Sequence, residues 1–194
     1  MTDTVMVDIR GEVAVVTLNR PETANTLNLA MGRDLLTAAL RCEADPAVRA
    51  VVLTGAGKAF CFGGELRGMT SSGTPLEPYL KELTTHLHAA IARFMRMDAP
   101  VIAAVNGTTA GAGVGLVAMA DLAIMAAGAK ISLAYTGVGL TPDGGTSFLL
   151  PRAVGAKRAM ELIMTNRALT AAEALEWGLV NQVAPDTEVL DTAL

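Results

Sequence analysis

The run Val101 to Leu116, VIAAVNGTTAGAGVGL, most constrains what this chain can fold into. Val101 to Val105 is short, apolar and β-branched enough for a buried strand, Asn106-Gly107 makes a tight turn, and Gly111, Gly113 and Gly115 let backbone approach backbone closely as a helix begins. Amides at such a helix start have no partner within the helix and suit an anion or an oxygen that becomes one. Three readings are open. A dinucleotide fingerprint needs an acid about 20 residues on, at the end of the next strand. The nearby acid, Asp121, stands before the next apolar run instead, which disfavours it. Small residues could simply let a helix pack closely. The third reading, a turn that binds an oxyanion, is preferred.

The flanking chain reads as alternating strands and helices. Val5 to Ile9 and Val13 to Leu18 form a hairpin around Arg10-Gly11-Glu12, and Arg20-Pro21 stops the second strand. A helix is expected over Leu29 to Arg41 with Leu35, Leu36 and Leu40 on its inner side, then a fully apolar strand from Ala50 to Thr54. Residues 70 to 78, TSSGTPLEP, read as a mobile loop and Tyr79 to Met97 as a helix ended before Pro100. Further on, a helix is expected through Leu116 to Ala120, strands at Leu122 to Ala126 and Ile131 to Leu133, a loop at Leu140 to Thr146, and helices over Gly155 to Thr165 and Ala171 to Trp177. Thr170 is a candidate N-cap and Gly178 a stop. The order implies an α/β layered core of stacked ββα units with right-handed crossovers.

Composition excludes several function classes. With 194 residues, 52% hydrophobic and 18% charged, one globular domain with a sizeable core is expected. A net charge of −4 without a basic run argues against a nucleic-acid partner, and 4% aromatics disfavours a base-stacking platform. The acidic, alternating start MTDTVMVDIRGEV is unlike a signal peptide, and no apolar stretch of about 18 residues implies a membrane span, so a cytoplasmic protein is expected. Cys42 and Cys61 have no metal-ligand or disulfide pattern and read as buried hydrophobes, while His86 and His88 lack partners at ligand or catalytic spacing. No cofactor or metal is expected.

A second glycine turn changes the weight of the first. Phe60 to Leu66, FCFGGEL, also follows a sheet-type strand, and Gly64 lies 48 positions before Ala112. Two backbone amides converging on one oxygen are what an enzyme needs when a thioester carbonyl becomes an enolate, because such donors are fixed before reaction.

On these two turns, together with LNRPETANTLN at 18 to 28, GLTPDGGTSFLLPRAVG at 139 to 155 and LTAAEALEWGLVNQV at 169 to 183, the chain resembles the enoyl-CoA hydratase/isomerase (crotonase) superfamily over nearly its whole length. The resemblance implies one domain over 1–194, with a spiral of ββα units to about residue 150 and the start of a C-terminal helical part from 151. The family usually continues into further helices, so those are expected to be partly absent here. It implies an acyl-coenzyme A thioester as substrate, with coenzyme A entering only as part of that substrate, and a homotrimer or dimer of trimers. Gly64 N–H and Ala112 N–H fall where the family makes its oxyanion hole. Ala24 to Thr26, Phe62 and Leu66 fall where it holds the CoA part, and Gly111 and Tyr135 are further candidate substrate-binding residues.

The departures from the pattern bear on the reaction. Hydratases of the family carry catalytic glutamates where this chain has Gly115 and Tyr135. Hydration needs one group to activate water and another to manage the second proton, whereas moving a double bond needs a single carboxylate. Asp143, in GLTPDGG, sits where enoyl-CoA and epoxyphenylacetyl-CoA isomerases of the superfamily carry their acid. Turn chemistry alone would make it an Asx-turn residue. Glu65 reads as a structural acid, Arg20 as a surface arginine with a CoA phosphate as the other option, and Tyr135 as a pocket wall or a donor to substrate. An enoyl-CoA isomerase is therefore the leading expectation. A hydratase with non-standard acid and base, Asp143 as a nucleophile, and a non-catalytic acyl-CoA binder are the alternatives.

Overall fold

The computed structural model describes residues 4–66 and 75–194. The expected hairpin forms as β1 (Val5–Arg10) and β2 (Val13–Leu18), antiparallel around Gly11 at φ +63°. After a 3-10 turn at Pro21–Thr23, Asn28 caps α1 (Leu29–Ala44) by accepting the Met31 N–H at 2.9 Å. The buried face of α1 is Met31, Leu35, Ala38, Ala39 and Cys42. Leu36 is half-buried and Leu40 is exposed, which corrects the expected inner face: the core stripe is carried partly by alanines that a leucine-weighted reading passes over.

The rest of the chain is laid down in units that send one strand into each of two sheets. β3 (Ala50–Gly55), β5 (Val101–Val105), β7 (Leu122–Ala126) and β10 (Gln182–Ala184) continue parallel to β2, giving a six-stranded sheet in the order β1-β2-β3-β5-β7-β10. The short strands β4 (Ala59–Cys61), β6 (Thr108–Ala110), β8 (Lys130–Ser132) and β9 (Leu169–Thr170) form the second, in that order. This is the expected α/β spiral of ββα units. The inner strands of the large sheet are apolar on both faces, as parallel strands covered on both sides must be. Polar groups are admitted where they join strand ends. Asp121, the acid of the discarded dinucleotide reading, receives the Val101 N–H at 2.8 Å on its carboxylate while its own N–H reaches Val101 O, locking β5 to β7.

Helices fill the crossovers. α2 (Leu76–Phe94) packs on α1, where Gly32 permits the approach: a Cβ there would sit 3.2 Å from Leu83 Cδ1. α2 starts three residues before the expected Tyr79 and ends three before Met97. Pro78 lies in its first turn, where no intrahelical N–H is required, so Leu76 to Pro78 are helical rather than loop. Residues 70–74 of the expected mobile loop lie outside the described residues. α3 (Gly113–Ala118) begins within the glycine turn itself, earlier than the expected Leu116. After a 3-10 turn at Thr136–Val138 comes α4 (Thr146–Val154), which starts at the last residue of the expected Leu140 to Thr146 loop and is not among the helices expected from the sequence. α5 (Ala156–Thr165) and α6 (Ala171–Glu176) follow, the latter opened by a Thr170/Glu173 capping box, and α7 (Val189–Ala193) closes the described chain. Among the described residues no helix is long and apolar enough to cross a membrane.

Candidate active site

Strand register brings the two glycine turns together. β4 and β6 are parallel neighbours with Cys61 opposite Thr109, a pairing reinforced by the buried hydrogen bond from Thr109 Oγ1 to Cys61 O at 2.8 Å. Gly64 and Ala112 each lie three residues beyond that pair, so the 48-residue spacing in the sequence is the register of the sheet. The turns then touch. A Cβ on Gly63, which has φ +72°, would stand 2.8 Å from Ala112 N and 2.9 Å from Ala110 O; one on Gly113 would stand 2.4 Å from Cys61 O. These contacts require glycine at both positions, independent of any catalytic role.

The amide inventory separates donors already used from donors left over. Gly111 N–H is spent on Ser132 O at 3.0 Å, and Glu65 N–H on Leu27 O at 3.0 Å. Gly64 N–H and Ala112 N–H have no acceptor among the described residues. Both residues line a cavity of about 130 Å³. Its walls are otherwise apolar: Leu27, Phe62, Leu66, Leu80, Leu83, Leu87, Leu133, Val138 and Leu140, with Thr84, Tyr135 and Asp143 supplying side-chain oxygen. Asp143 is the one ionisable carboxyl among these lining residues, so any proton transfer by a carboxylate in this cavity falls to it.

Asp143 is held from two sides. Tyr135 Oη donates to Asp143 Oδ1 at 2.8 Å and lies 3.4 Å from Asp143 O. From α2, His88 Nε2 accepts the Gly144 N–H at 3.2 Å, an arrangement that needs the imidazole neutral with its proton on Nδ1. This backbone contact of His88 with residue 144 is long-range, so spacing along α2 cannot reveal it. The carboxylate is not spent on an Asx turn; the bond that opens α4 runs from Thr146 N–H to the Asp143 backbone oxygen at 2.9 Å. Burial, then the neighbouring Asp143 charge, push the Tyr135 phenol well above its ordinary range, so it remains a proton donor throughout the range in which proteins work.

Gly115 faces this turn directly. A Cβ at 115 would lie 2.0 Å from Gly144 O and 3.0 Å from Thr146 Oγ1. The space beside Gly115 Cα is thus filled by the backbone that carries Asp143.

The remaining sequence-predicted residues flank the glycine turn at 62–65. Phe62 N–H donates to Ala24 O at 3.1 Å and Leu27 N–H to Gly63 O at 2.7 Å, so residues 24 to 27 run beside residues 62 to 65. Ala24 and Thr26 are not among the cavity-lining residues; Phe62 and Leu66 are, and both are substantially exposed. Arg20 Nη1 meets Glu65 Oε2 at 3.0 Å and Thr26 O at 2.7 Å, with the two side chains only 14% and 22% exposed. Arg20 is therefore tied into the chain rather than a free surface arginine, and Glu65 is its ion-pair partner. Asn25, fully buried at φ +56°, closes the same loop through Nδ2 to Ala56 O and Ala59 O, both 2.9 Å. Both cysteines are buried; burial raises the thiol of Cys42 to about 11 and that of Cys61 to about 12.

Comparison with known proteins places this geometry. Residues 8–194 match the family model described as enoyl-CoA hydratase/isomerase. The 1,2-epoxyphenylacetyl-CoA isomerase of Escherichia coli K12 is 37% identical over 194 residues, which is 100% of this chain and 74% of that protein. The 4-chlorobenzoyl coenzyme A dehalogenase-2 of an Arthrobacter species is 36% identical over 177 residues, 91% of this chain and 64% of the relative. The crystal structure of an enoyl-CoA hydratase from Bacillus anthracis superposes with a TM-score of 0.92 at 34% identity, covering 98% of this chain and 73% of that one. Three different reactions are represented among these names, so the choice between them rests on the side chains of the site.

Proposed function

The chain belongs to the enoyl-CoA hydratase/isomerase family, and on that premise we propose that it is an enoyl-CoA isomerase, moving a double bond in an acyl-CoA thioester through an enolate. In this reading the thioester oxygen sits between Gly64 N–H and Ala112 N–H, two amides that have no acceptor among the described residues. The Asp143 carboxylate takes a proton from C2 of a 3-enoyl thioester, and the electron pair moves through the conjugated system onto the thioester oxygen. Asp143, now a carboxylic acid, returns the proton at C4 as the oxyanion collapses and the double bond settles between C2 and C3. No water is consumed, and the carboxylate is regenerated. Preorganised backbone donors suit this step because they need no reorientation as the charge appears. The apolar walls keep out water that would otherwise compete for the proton and the dienolate. Phe62 and Leu66 at the cavity mouth, with Ala24 and Thr26 beside the turn, are the proposed contacts of the CoA part. Gly111 and Tyr135 belong to the acyl wall.

The observation that favours an isomerase over a hydratase is the contact at Gly115. A second carboxylate at that position would collide with Gly144 O, because even its Cβ would approach to 2.0 Å. Among the described residues Asp143 is the single carboxylate lining the cavity, which suffices for a proton shuttle and falls short of two-acid hydration. The test is incubation with hex-3-enoyl-CoA and hex-2-enoyl-CoA in oxygen-18 water, with products followed by mass spectrometry. Double-bond migration without label is the expected result. Labelled 3-hydroxyhexanoyl-CoA would replace the isomerase with a hydratase, and unchanged thioester that nevertheless binds would make the chain a non-catalytic binder.

A further inference from the structure

We infer that Tyr135 is a positioning residue for Asp143: its hydroxyl holds Oδ1, so that Oδ2 alone exchanges protons with substrate. This rests on the role proposed for Asp143 above.

The chain goes to some trouble to deliver this phenol. Ala134, immediately before it, has φ +57°, a left-handed conformation that a residue with a Cβ adopts at a cost of the order of 1 kcal/mol. Tyr135 lines the cavity while the residue is only 6% exposed. Its backbone oxygen then accepts Val138 N–H and Leu140 N–H, both at 3.0 Å, pinning the base of the segment that leads to Asp143. The same residue therefore anchors both ends of the loop, by its carbonyl at the start and its hydroxyl on the carboxylate at the finish.

Two features make the contact an orienting device rather than a proton relay. A phenol that stays protonated donates one hydrogen bond, and here it is aimed at Oδ1 at 2.8 Å. That bond survives the catalytic cycle, because the C=O oxygen of a protonated carboxyl still accepts a hydrogen bond while the proton resides on the other oxygen. An apolar wall needs no hydroxyl, so phenylalanine would fill the same space.

The test compares wild type, Tyr135→Phe, Asp143→Asn and the double variant on hex-3-enoyl-CoA, with melting temperature as a control for folding. A fifth chain carrying 3-fluorotyrosine at position 135 keeps both ring and donor. Tyr135→Phe is expected to lower kcat about 10- to 100-fold, the penalty of letting a catalytic group drift by an ångström or less, with KM within about twofold. The fluorotyrosine chain is expected within a few-fold of wild type. In the Asp143→Asn background Tyr135→Phe is expected to change nothing further, since the group it positions is gone. Wild-type kcat in Tyr135→Phe, or the same fold-loss in both backgrounds, would overturn the role while leaving the isomerase reading intact. A wild-type chain inactive on this ester would instead overturn that reading, and the role with it.

Discussion

Replacing Gly115 by alanine sets two effects of opposite sign against each other, and the structure says which wins. In the middle of a helix, glycine to alanine ordinarily stabilises by roughly 1 kcal/mol through backbone entropy. Here the new methyl would sit 2.0 Å from Gly144 O, whereas ordinary contact begins near 3.4 Å, so about 1.4 Å must be found. The obstructing atom is backbone, and the turn that bears it is tied down by His88 on one side and by the Thr146 N–H to Asp143 O bond on the other. Overpacking of this kind costs about 1–3 kcal/mol, which offsets the helix gain and leaves a net loss of up to about 2 kcal/mol. For a chain of this size that is a fall in Tm of up to about 8 °C. The catalytic effect is expected to be larger. Asp143 precedes Gly144, so a shift of about an ångström stretches the 2.8 Å contact with Tyr135 beyond hydrogen-bond range and misplaces the base, a displacement worth about 100-fold in kcat. Affinity for the CoA ester should change less than kcat, because the proposed oxyanion amides of Gly64 and Ala112 are placed by the register of β4 on β6 rather than by the 143–145 turn. Isomerisation of hex-3-enoyl-CoA by chromatography, ester affinity by calorimetry and Tm by differential scanning fluorimetry read the three quantities. A Gly115→Ala chain with wild-type kcat and unchanged or raised Tm would show that the close packing of Gly115 on residue 144 does not govern the site.

Asp143→Asn removes the proposed base while keeping the oxygen that Tyr135 contacts; kcat for isomerisation is expected to fall ~100-fold or more with CoA-ester binding nearly intact, as steady-state kinetics and calorimetry would show. Glu65→Ala leaves the half-buried Arg20 guanidinium without its carboxylate and should lower stability by about 1–2 kcal/mol in a urea titration, between the values for exposed and buried pairs. Since burial raises both thiols, to about 11 for Cys42 and about 12 for Cys61, neither should react with a disulfide reagent in the native chain at pH 8, where both are protonated. Rapid labelling of one thiol per chain without unfolding would contradict that burial.

The parts of the fold that periodicity controls were legible in the sequence. The hairpin and the strands at 50, 101 and 122 lie within a residue of where their apolar runs place them, because parallel strands buried on both faces leave an uninterrupted apolar signal. The pairing of the two glycine turns was legible too, since Cys61 opposite Thr109 turns a sequence spacing directly into proximity. α4 was less so: the stretch beyond the expected 140–146 loop carries no assignment from the sequence, and the helix forms through burial of Thr146, Leu149, Leu150 and Val154. The partners around the acid were invisible for a different reason. Tyr135 is eight residues from Asp143 across a bend set by a left-handed alanine, His88 reaches Gly144 from 56 positions away, and Arg20 meets Glu65 across the cleft between two loops. Each depends on tertiary placement of a side chain whose type is common on surfaces.

The site separates what the fold fixes from what individual residues decide. The two free amides are set by the register of β4 on β6 and by glycines at 63 and 113 that no side chain could replace without a clash. That part of the machinery is as rigid as the sheet and indifferent to the reaction that follows. The acid, by contrast, arrives on a turn outside both sheets, and its position depends on Gly115 offering no side chain. A carboxylate on α3 at position 115 and the turn 143–145 in its present place would compete for one volume, so they are alternatives rather than additions. Installing glutamates at 115 and 135 would therefore not turn this chain into a two-acid enzyme. The first would expel the turn and Asp143 with it, and the second would remove the phenol that steadies whatever carboxylate remained. In this chain the few cubic ångströms beside Gly115 that leave no room for a side chain are filled by the turn that carries the proposed base, Asp143.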